Sequence, residues 1–227
     1  MLFTTLTLLA TLAPAVLSVP TPMAPVIAVD KRQYTRPLAE SCDLSKAVMA
    51  VAPTALPMPT GTLAHIAVGR GTQNYTCAAT PNDNTAAPKA IGAIATLYNV
   101  TCLSVVAPQV LEAVTPIALS TPMTLDKTEN DGPKSGRHLF TATGAPFFET
   151  DYGWIQAKAS ANSSAPTTSD KGKNGLGAVA WLKLTGTAGD FTEVYRVDTA
   201  GGVAPKTCSG QTGTFEVQYA ALYWFYR

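Results

Sequence analysis

Charge is scarce in this sequence: 16 lysines and arginines and 15 acids make up only 14% of 227 residues. The formal net charge of +1 leaves no basic field to attract nucleic acid or an anionic membrane surface. Histidine occurs twice, as His65 and His138, and there is no HExxH, GxSxG or CxxC. The usual signatures of zinc proteases, esterase elbows and thioredoxin-like exchange are therefore missing, and neither a metal site nor a cofactor is expected. Long amphipathic helical patterns are absent as well, because 17 prolines and 17 glycines cut the chain into short pieces.

What is present is concentrated at the C-terminal end, Phe191 to Arg227. In the last run Phe215, Val217, Tyr219, Ala221, Tyr223 and Phe225 share one face, opposite Thr214, Glu216 and Gln218, the period-two pattern of a half-buried strand. From Ala220 onward Leu222, Trp224 and Tyr226 make the second face apolar too, which predicts cover on both sides. A strand this long predicts a bend or bulge near Ala220 and Ala221. Its partner is read as Phe191 to Val197, closed by Gly201, Gly202 and Pro205.

At the other end, residues 1–18 form an apolar stretch closed by small residues, which reads as a signal peptide. Residues 19–32 are Pro-rich and end in the dibasic pair Lys31-Arg32, a candidate propeptide cleavage point. A single domain over residues 33–227 follows. Its four cysteines, Cys42, Cys77, Cys102 and Cys208, are even in number and outside any CxxC, so disulfides are expected, with three connectivities open. Sequons at Asn74, Asn99 and Asn162 offer glycan acceptors. Together these predict a secreted, extracellular or cell-wall glycoprotein with no membrane span in the mature chain.

The middle of the chain predicts mostly strand. Gly69 and Gly71 interrupt an alternating run over Gly61 to Cys77, in which Ala64, Ile66 and Val68 share a face. Pro108 and Pro116 limit any helix in Ala87 to Ala118 to a turn or two. Thr121 to Arg137 is a polar loop, Lys158 to Gly175 a low-complexity insert expected as a mobile loop, and Leu176 to Leu184 a central strand. Many short strands between Gly/Pro turns indicate an all-β fold, an antiparallel sandwich or barrel, jelly-roll-like, with long loops and at most short helices.

Candidate chemistry is thin. His138 with Glu149 or Asp151 has the residue types of a general base or hydrolytic centre, although solvated charges at a loop end explain the same residues more simply. His65, between apolar neighbours, suits a hydrogen-bonded structural histidine. For ligand binding, Tyr152 and Trp154 have rings that can stack on a sugar, and Arg70 and Gln73 flank a Gly-rich bend that can line a cleft.

The segments GRGTQNYTC, AWLKL, YRVDTAGGVAPKTC and YAALYWFY, in this order, resemble a family of secreted fungal and bacterial proteins that carry a domain of unknown function, over about Pro57 to Tyr226. Fungal members of that family are often labelled malate dehydrogenase. The residues do not support that activity here, because Gly69-Arg70-Gly71 lacks the third small residue of a dinucleotide fingerprint and Gly175 to Ala180 follows a polar loop instead of a strand. The resemblance implies Cys77–Cys208 and Cys42–Cys102 pairing. His138, Gly144, Pro146 and Phe147 match a His and Gly-Pro-aromatic segment of the family loosely, and Asp151-Tyr152-Gly153 departs from its Asp-Gly spacing. The overall expectation is a cell-surface or cell-wall binding or structural module, with wall polysaccharide or another surface protein as partner. An extracellular hydrolase using His138 is the alternative.

Overall fold

A computed structural model describes residues 42–78, 85–121 and 134–227, all within one compact unit. The expected leader and propeptide lie outside the described residues, as does most of the polar loop before Arg137.

Eight antiparallel strands, each paired with its neighbour in the chain, close into a barrel: β1 (Leu63–Cys77), β2 (Lys89–Asn99), β3 (Lys134–Phe140), β4 (Pro146–Thr150), β5 (Gly153–Ser163), β6 (Trp181–Gly189), β7 (Glu193–Gly201) and β8 (Gly213–Tyr226). Of sandwich and barrel it is the barrel, and the up-and-down order has none of the Greek-key crossings of a jelly roll. β8 pairs with β1 from Leu63↔Tyr226 to Cys77↔Gly213 and thereby removes both sheet edges.

The two apolar faces of β8 serve two different cores. Tyr219, Ala221, Tyr223 and Phe225 point into the lumen with Leu97, Phe148, Ile155, Leu184 and Val194. Leu222, Trp224 and Tyr226 point outward, beside Ile66, Val68, Tyr195 and Val197. That outer face is covered by Leu111 and Val114 of α2 (Pro108–Ser120) and by an extended strap around Ala47 to Leu56. Two disulfides fasten the cover and the barrel rim: Cys42–Cys102 holds the strap to the segment entering the short α1 (Leu103–Val106), and Cys77–Cys208 holds the β7–β8 connection to the end of β1.

Several expectations change. α2 has 13 residues, more than the turn or two expected from its prolines. Pro108 occupies the first turn, where its missing N–H costs nothing. Pro116 falls within the helix, where it disturbs the carbonyl of Glu112 on the exposed face, open to water. β1 runs through Gly69 and Gly71 without interruption, and both glycines serve close packing: a Cβ on Gly69 would lie 2.4 Å from the Tyr223 ring, and one on Gly71 1.8 Å from the Ile94 carbonyl. A register shift between Leu63 and His65 puts Ala64 with the lumen cluster and Ile66 outside, so these two do not share a face. β5 continues to Ser163, into the stretch expected as a loop, while β6 begins only at Trp181. The bulge expected near Ala220 is carried by β7 instead, where the register slips between Val197 and Ala200 opposite β8.

A candidate ligand cavity in the barrel lumen

β4 is five residues long and its pairing with β5 stops at Phe147↔Gln156, so Ala157 to Ser163 pair only with β6. Where β4 ends, beside the turn Thr141 to Ala145, a cavity of about 480 Å³ enters the lumen. Its size lies within the roughly 300–1,000 Å³ of small-ligand sites. Phe140, Phe148, Ala157, Leu182 and Leu184 form an apolar wall; His138, Arg196 and Tyr223 supply polar groups, and exposed Lys158 stands at the mouth. The lining contains no carboxylate.

Arg196 faces inward because Tyr195 and Val197, on either side of it, are taken by the outer core. Its Nε and Nη2 both donate to the Ala180 carbonyl, at 3.1 and 2.8 Å. Among the described residues no carboxylate pairs with it. Tyr223 and Tyr219 are fully buried and their hydroxyls hydrogen-bond each other at 2.9 Å. Burial pushes both phenols above the usual tyrosine value, and the Arg196 charge opposes that rise. Deeper in, Gln73 points to the lumen, its buried Nε2 directed at the Tyr219 phenol, whose rise in pKa it opposes.

His138, 3% exposed, stacks on Phe148 with ring centroids 4.0 Å apart. Its Nδ1 donates to the Phe147 carbonyl at 2.9 Å, which leaves Nε2 as an acceptor. Burial lowers its pKa to about 4, with the Phe147 bond opposing and the Arg196 charge assisting, so the ring is neutral at pH 7. His65 plugs the opposite end of the barrel, stacked on Tyr152 at 4.3 Å and hydrogen-bonded to Thr101 and Ser135.

The other residues singled out in the sequence are not gathered here. Glu149 lies on the outer surface, paired with Arg137 at 2.8 Å, on the opposite side of the wall from His138. Asp151 is exposed at the far end of the barrel, near Asp190 and Arg227. Arg70 shares the outer face with Val68 and Ala220, its Nε and Nη2 buried and without hydrogen-bond partners, while Gln73 faces inward. Tyr152 turns inward onto His65, and its hydroxyl accepts from Asn99 Nδ2 at 3.0 Å; Trp154 lies outside against Phe147. Of the three sequons, Asn162 is exposed, whereas Asn74 and Asn99 are half-buried. Neither Gly69-Arg70-Gly71, in mid-strand, nor Gly175 to Ala180 opens a helix. Among the described residues no cluster of three His, Cys, Asp or Glu could hold a metal ion. Sequence reasoning missed Arg196; its signal was an arginine in strand alternation with Val194, across from Tyr223.

The model of a family described as a protein of unknown function (DUF3455) matches residues 57–227. The chain belongs to this family. The DUF3455 region contains all eight strands, the Cys77–Cys208 bridge and every residue of the lumen cavity, and leaves Cys42 and the strap residues Ala47 to Leu56 outside it. No curated protein matches the chain, and no solved structure does. The two disulfides fit an extracellular protein. No described helix is long and apolar enough to cross a membrane.

Proposed function

We propose that this is an exported, glycosylated binding module that holds a small, largely apolar ligand inside its barrel and carries out no reaction on it. One observation carries this reading: the wall opens where β4 stops, onto a lumen cavity that joins an apolar lining to polar groups with hydrogen-bonding capacity to spare. The oxidised cysteines and the exposed Asn162 sequon support passage through a secretory route. A hydrolytic centre on His138 would need a carboxylate on the lumen side, and Glu149 and Asp151 both lie elsewhere.

The uncharged dye N-phenyl-1-naphthylamine tests the reading. Its fluorescence should rise saturably with the wild-type protein, and Ala159→Trp, an exposed change at the cavity mouth, should weaken that binding at least tenfold. No enhancement, or equal enhancement with A159W, would sink the lumen site. Retention on insoluble chitin or glucan would instead point to the outer surface around Trp154.

A further inference from the structure

We infer that the ligand is a small monocarboxylic acid with an aromatic or short aliphatic body, its carboxylate held by Arg196 and Tyr223. This rests on the lumen reading above and adds the chemical class.

The charge of the lining points to an anion. Arg196 and Lys158 contribute two cations, His138 is neutral, and no acid is present. Among the described residues no carboxylate neutralises the Arg196 guanidinium, so its positive charge is available to an anion entering the cavity. Arg196 gives Nε and Nη2 to the Ala180 carbonyl and its guanidinium also reaches the Tyr223 phenol, so charge and phenol stand together at one point of the cavity. Tyr223 stands across from it in the β7–β8 register, and when Tyr219 donates to the Tyr223 oxygen, the Tyr223 proton is free for a second contact. The pair offers one charged and one neutral donor, enough for the two oxygens of a single carboxylate.

The rest of the cavity limits the body of the ligand. Phe140 and Phe148 present rings, and Ala157, Leu182 and Leu184 present aliphatic surface, so a body carrying further charge would be stripped of water without compensation. A phosphate dianion would bring a second negative charge to one deep cation, since Lys158 stands at the mouth. His138 Nε2, an acceptor, repels a carboxylate at its own position and suits a hydroxyl on the body.

Calorimetric titration of the whole mature protein at pH 7 with benzoate, cinnamate and octanoate, each against its methyl ester, decides the matter. At least one acid should bind tenfold or more tightly than its ester. Arg196→Gln should abolish that preference, bringing acid and ester affinities within twofold of each other, and Arg196→Lys should keep part of it. The acid–ester comparison in the wild-type protein needs no variant, so it stands even if R196Q fails to fold. Esters binding as well as acids would overturn the carboxylate assignment while the lumen site stands. Binding of the uncharged dye without any of these acids would overturn it equally. If neither acids, esters nor dye bind, both this inference and the lumen reading fall.

Discussion

At the scale of single residues, Asp198 shows how the fold places a charge at a disadvantage. It occupies the β7 bulge at φ 47°, a left-handed conformation that aspartate and asparagine tolerate better than most residues. Burial, with the Glu112 charge adding to it, raises its pKa from 3.8 to about 6. The folded state therefore holds a proton that the unfolded chain has released between those values, so this contribution to stability is lost as pH rises through about 6. His65 and His138 act in the opposite sense. Burial lowers them from 6.5 to about 3 and about 4, and the stability they contribute is lost as pH falls below 6.5. Asp198→Asn keeps the backbone conformation and should stabilise the protein at pH 7 by about 1–2 kcal/mol, with the gain vanishing below pH 4. Thermal unfolding of the two proteins from pH 3.5 to 7.5 checks this, and a constant difference across that range would contradict it. Neither Asp198 nor Arg196 stood out in the sequence. Alternation put Arg196 on the face away from Tyr195, but whether that face met solvent or a lumen depended on strands far away in the chain. His138 was legible as a candidate, and its setting was not: Glu149, eleven residues on, projects to the other side of the wall.

At the scale of elements, the strap is held by chemistry that is itself buried. Lys183 and Glu193 form a 2.7 Å ion pair outside the barrel, with side chains 8% and 7% exposed. Lys183 also donates to the Met58 carbonyl, Glu193 accepts from Thr60, and the Tyr195 hydroxyl donates to the Pro57 carbonyl at 2.6 Å. Desolvation opposes both charges, yet their mutual hydrogen bond keeps Lys183 above and Glu193 below the ordinary values. Lys183→Met would strand the carboxylate and should cost roughly 3 kcal/mol, whereas K183M combined with Glu193→Leu should recover most of that loss. Denaturant midpoints for the single and double variants measure it; a double variant no better than the single would refute the pairing argument. The strands themselves were largely visible from alternation, above all β8 with its two apolar faces. α2 was not, since its prolines argued against it and Leu111, Thr115 and Leu119 gain meaning only once a wall exists for them to cover. The end of β5 was hidden for a similar reason: Lys158 to Ser163 has the composition of a linker, and pairing with β6 overrides it.

At the scale of the whole molecule, the two disulfides do separate jobs. Cys77–Cys208 spans 131 residues and closes the rim of the barrel, while Cys42–Cys102 spans 60 and fastens the outer cover. Removing either should lower stability by about 2–5 kcal/mol. Replacing Cys77 and Cys208 by serine should destabilise the lumen and its binding together, whereas replacing Cys42 and Cys102 should lower the melting temperature and leave lumen binding intact. Parallel calorimetric unfolding and dye titration of both double variants check the contrast. Equal loss of binding in the two would show that the cover and the lumen are one cooperative unit.

The pairing of β8 with β1 also imposes an order on biosynthesis. β1 must wait for the fourteen residues of β8 before its open flank is occupied. Until then a nascent chain carries two raw borders, on β1 and on β7, each able to recruit a stray peptide. A translation product truncated before Gly213 is therefore not a slightly weakened barrel but a sticky open ribbon, destined for a chaperone or for a precipitate.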